Sequence, residues 1–144
     1  MKFKFLIGLL AICAIGGVHL SILNAQAPQR TAKDKVYTEA QANRGADAIR
    51  RIGCANCHGN TLEGGPEETP ALVGNEFVNE WLNQSVYDLY VKVTSMPPGH
   101  LDSRKAQEEV DIMCLLLAIN GFPAGDTELG PDPEVLKRIK IVLP

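Results

Sequence analysis

The chain has few cysteines, no excess of basic charge and no internal repeat. Its 144 residues include four cysteines, and 14 Lys and Arg against 17 Asp and Glu give a formal net charge of −3. This balance argues against nucleic acid as a partner, because nucleic-acid-binding domains usually carry a basic patch or stripe. The length suits one small domain. Composition alone therefore does not indicate a function, and a short motif is the feature that does.

That motif is Cys54-Ala55-Asn56-Cys57-His58, which reads C-x-x-C-H, the attachment signature of c-type haem. Two thiols three positions apart on the first turn of a helix can each add to one vinyl group of the same porphyrin. The residue that follows, His58, can then direct its imidazole at the iron. The motif predicts one covalent haem c with Cys54 and Cys57 as thioether attachments and His58 as an iron ligand.

Other uses of two closely spaced cysteines are less consistent with the rest of the chain. A structural zinc site needs four ligands, often a second close pair, and the remaining Cys13 and Cys114 have no close partner. A thioredoxin-like pair would lie beside a βαβ pattern, and no strong strand run lies near the motif. There is also only one C-x-x-C-H, which disfavours a dihaem enzyme.

A methionine or a histidine could supply the second axial ligand of the iron. Met96 is followed by Pro97 and Pro98, which fix φ and remove N–H donors, so a stiff loop can hold its thioether in place. Met113 lies in an apolar run and is expected to fill the core. Met96 is therefore the predicted metal ligand, and the alternatives are His100 and an open iron site.

The N-terminus has the pattern of a targeting segment. Lys2 and Lys4 precede residues 5–23, which are apolar apart from His19 and Ser21, and Ala25-Gln26-Ala27 resembles a cleavage site. Pro28 would follow the cut, where proline is poorly accepted, and the apolar run is close to the ~20 residues that span a bilayer. We expect residues 1–27 to be a signal peptide or a membrane anchor, and a periplasmic or exported location in either case.

The remainder reads as helices joined by Pro- and Gly-rich loops. Thr38 and Gln41 form a capping-box pattern, and other helices are predicted over 76–83, after Ser85, over 102–120 and over 133–138. Gly45 interrupts the first helix, which suggests close packing there. Residues 28–36 are expected to be a flexible lead-in, 37–125 the domain and 126–144 a C-terminal extension.

With these features in place, the chain resembles a class I monohaem cytochrome c from about Tyr37 to Gly121. The order of elements is similar: a helix, C-x-x-C-H, a Pro-containing loop, short helices, Met-Pro and a last long helix. The resemblance implies an all-α cytochrome c fold of four or five short helices around the haem, with the first and last mature helices crossing near Gly45. Leu115 stands where many members have an aromatic residue.

The same resemblance implies the haem-binding residues and the partners. Cys54, Cys57, His58 and Met96 match the family's haem-binding positions, and the loop Thr69-Pro70-Ala71-Leu72 resembles the one whose proline carbonyl accepts a hydrogen bond from the ligand histidine. Asn120-Gly121-Phe122-Pro123-Ala124-Gly125 and the tail are similar to exported cytochromes that accompany quinoprotein dehydrogenases.

The sequence thus predicts an electron carrier and not an enzyme, taking electrons from a periplasmic dehydrogenase to an oxidase or another cytochrome. The mildly acidic surface is compatible with docking to a basic patch and equally with simple solvation. The alternatives are a haem enzyme or gas sensor with an open distal site, and a cytochrome subunit fixed to a dehydrogenase.

Overall fold

The computed structural model of the chain describes residues 29–66, 68–98 and 104–144, and these residues are mainly helical. The helices are α1 (Glu39–Ile52), α2 (Ala55–His58), α3 (Gly74–Trp81), α4 (Val86–Thr94), α5 (Ala106–Ile119) and α6 (Pro133–Leu136), and the strands are β1 (Arg30–Thr31) and β2 (Ile139–Lys140). The expectation of a mainly helical fold is confirmed. The segment 1–27, Cys13 and His100 lie outside the described residues.

The first helix begins and ends where its local sequence predicts. The Thr38 hydroxyl accepts from the Gln41 N–H and the Gln41 side chain accepts from the Thr38 N–H, both at 3.3 Å, which completes the capping box. Gly53 adopts a left-handed φ of 82° and ends α1, and its N–H donates to Ile49. A second capping box, between Ser85 and Asp88, begins α4 as predicted.

The core forms where α1 crosses α5. From Val110 to Leu117 the residues of α5 are buried apart from Leu115, which is half-buried, so this helix runs through the interior. On α1, Gly45 lies against the backbone of Asp111 and beside Leu115. The predicted close approach of the two helices at Gly45 is confirmed.

Both ends of the described chain pack into this core. The strands β1 and β2 pair in parallel, with Arg30 opposite Ile139 and Thr31 opposite Lys140. Ala32 and Ile141 are fully buried, as are several neighbours along both segments, namely Val36, Tyr37, Leu129 and Leu136. Parts of the predicted lead-in 28–36 and of the predicted extension 126–144 therefore pack into the same core as the helices.

A buried polar cluster fastens the tail to the crossing helices. The Gln41 amide donates to the Leu129 carbonyl at 2.9 Å and to Asp111 at 3.2 Å, and its oxygen accepts from the Leu129 N–H at 2.8 Å. Arg44 binds the buried Asp111 carboxylate through two hydrogen bonds of 2.7 and 3.1 Å. Buried polar groups of this kind stabilise a fold only when their partners are present, so α1, α5 and the tail depend on one another.

Several helix boundaries differ from the predicted ones, and two starts are the clearest. The α5 helix begins at Ala106 and not at Asp102 or Ser103, because Lys105 has an extended backbone and Arg104 is turned toward the Met96 carbonyl. The α3 helix begins at Gly74, two residues before the predicted start. Within the described part of the chain, no helix is both long and apolar enough to cross a membrane.

Candidate cofactor site

The C-x-x-C-H motif forms a separate helical turn directly after α1. Gly53 reverses the chain, and the His58 N–H then donates to the Cys54 carbonyl at 3.0 Å. Cys54 is half-buried and Cys57 is exposed, and neither forms a disulfide. The two thiols and the imidazole are thereby presented from one short helix, as the spacing predicted.

The His58 ring is oriented by a backbone carbonyl. Its Nδ1 lies 2.8 Å from the Pro70 oxygen, within the 2.7–3.2 Å range of an N–H···O hydrogen bond. A carbonyl can only accept, so the Nδ1–H is the donor in this hydrogen bond. The predicted contact between His58 and Pro70 is confirmed, and Nε2 is the ring nitrogen that this bond does not use.

The loop after His58 folds back tightly over the motif. The Gly64 N–H donates to the His58 carbonyl at 3.0 Å, and a Cβ placed on Gly65 would lie 1.7 Å from the Cys57 carbonyl oxygen. No side chain fits there, which explains Gly65, while Gly64 has a left-handed φ of 101° that favours glycine.

The segment that carries Pro70 is held from two sides. The Leu72 N–H donates to the Leu62 carbonyl at 2.7 Å, and the Asn120 amide donates to the Leu72 carbonyl at 2.9 Å. Asn120 also accepts from the Gly74 N–H at 2.8 Å. In the sequence, Asn120 stands at the predicted end of the last long helix and in the segment that is similar to exported cytochromes. No sequence signal indicated its hydrogen bonds to the 72–74 segment.

A cavity of about 530 Å³ opens beside the motif. This volume lies within the roughly 300–1,000 Å³ typical of ligand and cofactor sites. Cys54, Cys57, His58, Pro70 and Met96 all line it, so the cavity brings the predicted site residues together. Its apolar wall comes from four of the helices and the 71–72 segment, and includes Ile49, Ala71, Leu72, Phe77, Trp81, Leu89, Val93, Ile112 and Leu116.

Met96 reaches the cavity from the end of α4. Its N–H donates to the Val93 carbonyl at 3.1 Å, and its own carbonyl accepts from the Arg104 guanidinium. Met113 is fully buried in the core, which agrees with its predicted packing role. The geometry therefore favours Met96 over Met113 as the methionine available to a group in the cavity.

Arg104 is the cavity residue that sequence reasoning missed. Only 6% of its side chain is exposed, and its Nε lies 3.7 Å from a carboxylate oxygen of Glu109. It lines the cavity together with the site residues. Arginine in a helix-start region normally faces water, so its sequence position gave no signal of this burial.

The thiols differ in their environments. Burial raises the pKa of Cys54, while the nearby Arg104 opposes part of that effect. Burial also raises the pKa of Cys114 well above its usual range, and this thiol stays neutral inside the core. Cys114 is therefore a packing residue, as predicted.

The described residues contain no group of three or more His, Cys, Asp and Glu side chains arranged to hold a metal ion. A scan against protein-family models, a search of curated proteins and a search of solved structures each found no match to this chain.

Proposed function

We propose that the chain is an electron carrier that holds one covalent haem c, with His58 and Met96 as the axial ligands of the iron. In this reading Cys54 and Cys57 carry the thioether bonds, and the chain is a class I monohaem cytochrome c with the corresponding fold. The observation that supports it most strongly is the His58 ring, bonded through Nδ1 to Pro70 beside a cavity that both cysteines and Met96 line.

The donor set fits the group. Thiols at the first and fourth positions of a helical turn match two vinyl groups, and the imidazole has its Nε2 lone pair available. The cavity is large and mostly apolar, which suits a flat macrocycle that must be kept from water. A methionine thioether is a soft neutral ligand, and Met/His ligation raises the reduction potential of haem iron.

When bound, the haem supplies a one-electron redox centre. The residues of the chain position the ligands and exclude water. Pro70 fixes the His58 ring and raises its basicity. The Arg104 contact with the Met96 carbonyl holds the loop that presents the thioether. The aliphatic and aromatic wall excludes water. If His58 and Met96 both bind the iron, no position on the iron is left for a substrate, so the proposed role is electron transfer and not catalysis.

The proposed partners are redox proteins of the periplasm. A dehydrogenase would supply electrons and an oxidase or another cytochrome would accept them. Cys57 is exposed and lines the cavity, which allows a partner to approach one edge of a bound group within a short distance. The acidic net charge suits partners with a basic docking surface.

The test is attachment and ligation in the full chain. Peptide mass spectrometry should find one haem on the fragment that contains Cys54 and Cys57, and the haem should survive acid-acetone extraction. Carbon monoxide should bind poorly. Cys114→Ala is the matched control and should leave the haem attached, whereas Cys54→Ala with Cys57→Ala should abolish attachment.

Each other result would point to a different protein. Free thiols at Cys54 and Cys57, or bound zinc, would end the haem proposal. Attached haem that binds carbon monoxide avidly would favour an enzyme or gas sensor with an open distal site. Isolation only within a dehydrogenase complex would favour a fixed subunit over a free carrier.

A further inference from the structure

We propose that Asn120 is a positioning residue for His58. Its side-chain amide holds the segment 70–74, and that segment presents the Pro70 carbonyl to the His58 ring. The inference rests on the proposed haem-binding function, because its consequence is the orientation and basicity of an iron ligand. Asn120 lies at the end of α5, far along the chain from the motif, and only 7% of it is exposed.

Both the nitrogen and the oxygen of the Asn120 side-chain amide form hydrogen bonds. Its nitrogen donates to the Leu72 carbonyl at 2.9 Å and to the Leu116 carbonyl at 2.8 Å. Its oxygen accepts from the Gly74 N–H at 2.8 Å. The bond to Leu116 fixes the side chain on its own helix, so the other two bonds tie the 72–74 segment to α5.

The position of the Pro70 carbonyl depends on the two hydrogen bonds between Asn120 and the 72–74 segment. Pro70 has no N–H and cannot anchor itself through a backbone donor. Two residues later, Leu72 is held on one side by its N–H bond to the Leu62 carbonyl and on the other by Asn120. The Leu62 bond belongs to the same loop as the motif, so Asn120 supplies the side-chain hydrogen bonds that link this segment to α5.

The start of α3 depends on the same side chain. Val73 precedes this helix and offers no side-chain cap. The Asn120 oxygen receives the Gly74 N–H in place of a local cap. Removing the amide would leave the Leu72 carbonyl and the Gly74 N–H without these partners in a partly buried place, which favours displacement of the segment.

A displaced segment would weaken the bond between Pro70 and the His58 Nδ1–H. That bond orients a ligating histidine and raises its basicity. A less basic imidazole donates less charge to the iron, so the ferrous state gains relative to the ferric state. Loss of Asn120 should therefore raise the reduction potential, although the residue lies outside the ligand set.

The test compares two haem-loaded variants. Asn120→Ala should raise the reduction potential and speed hydrogen exchange of the His58 ring N–H by at least about tenfold in NMR. Gln41→Met is the matched control, because it removes another buried amide from the core while leaving the 70–74 segment bonded. It should lower the melting temperature but leave the potential and the ring N–H exchange unchanged.

If Asn120→Ala does not fold, a second measurement on the unmodified protein still tests the inference. In the unmodified holoprotein, the His58 ring N–H and the Gly74 backbone N–H should exchange with the same dependence on denaturant, since one opening event releases both. Independent opening would overturn the inference, as would equal potential shifts in the two variants. Absence of covalent haem or of histidine ligation in the unmodified chain would instead defeat the proposed function.

Discussion

Gly45 of α1 lies directly beneath the backbone carbonyl of Asp111 in α5. A Cβ placed on Gly45 would lie 2.1 Å from that oxygen and 3.0 Å from the Leu115 Cβ. Both distances are too short for ordinary contact, and the nearer atom belongs to the backbone, which cannot rotate away. At this separation of the two helices, any side chain larger than that of glycine requires the backbone to shift.

Gly45→Ala should destabilise the protein by roughly 1–3 kcal/mol, because the added methyl forces the helices apart. Helix propensity alone predicts the opposite sign, a gain of roughly 1 kcal/mol. Urea denaturation would measure the change in the free energy of unfolding. Asn43→Ala, at an exposed position of the same helix, is the control and should be neutral or slightly stabilising. A more stable Gly45→Ala protein would contradict the close-packing argument.

Met96 and Met113 should respond oppositely to substitution. Under the proposed haem ligation, Met96→Ala should remove the weak near-infrared band of sulfur-to-iron ligation and open the iron to carbon monoxide. Met96→His should keep six ligands and lower the potential, since axial ligands shift haem over about 0.8 V. Met113→Leu should leave the spectrum and potential nearly unchanged, because Met113 is buried in the core. Loss of the band in Met113→Leu alone would show that Met113 is the ligand.

Tyr37 should make the protein less stable in alkali. Burial raises the pKa of Tyr37 to about 12. An unfolded tyrosine has a pKa near 10, so the stabilisation is complete below pH ~10 and is lost as the pH rises through 12. The loss is on the order of 2 kcal/mol.

Tyr37→Phe separates this effect from other alkaline titrations. The variant loses the 2.6 Å hydrogen bond from the Tyr37 hydroxyl to the Phe122 carbonyl at every pH, so it is less stable near neutrality. Its stability should then fall less steeply between pH ~10 and ~12 than that of the unmodified protein. Urea midpoints at several pH values measure both slopes, and parallel slopes would refute the assignment.

Truncation of Leu136 should be costly although it lies in the tail. Its side chain is fully buried among the core residues, and Leu→Ala substitutions at such sites cost about 2–5 kcal/mol. Leu143→Ala is the control, since 61% of Leu143 is exposed, and it should change little. Thermal unfolding of both variants decides the matter. Equal melting temperatures would mean that the tail is a detachable extension.

Features fixed by neighbouring residues were predictable from the sequence. The Thr38 and Ser85 caps, the left-handed end of α1 at Gly53 and the helical turn of the C-x-x-C-H motif all depend on residues within one or two turns. The contact between His58 and Pro70 spans a short loop and was expected from the family resemblance. The structure contains this contact, while the binding of haem by His58 stays a prediction.

Features that depend on distant residues were missed. The two short strands that pair the ends of the described chain have too few residues to give an alternating pattern. The Asn120 tie and the burial of Arg104 each depend on one side chain meeting a backbone carbonyl from another segment. Neither hydrophobic periodicity nor a short motif predicts such contacts, because they depend on how distant segments of the chain are placed in three dimensions.

The parallel pairing of β1 with β2 also constrains the order of folding. During synthesis from the N-terminus, β1 emerges long before its partner β2. Domains assembled from such distant segments pay a large loop-closure cost before the final contacts form. The motif at Cys54 lies between the two strands in the chain, so it is synthesised before the core can close around β1 and β2.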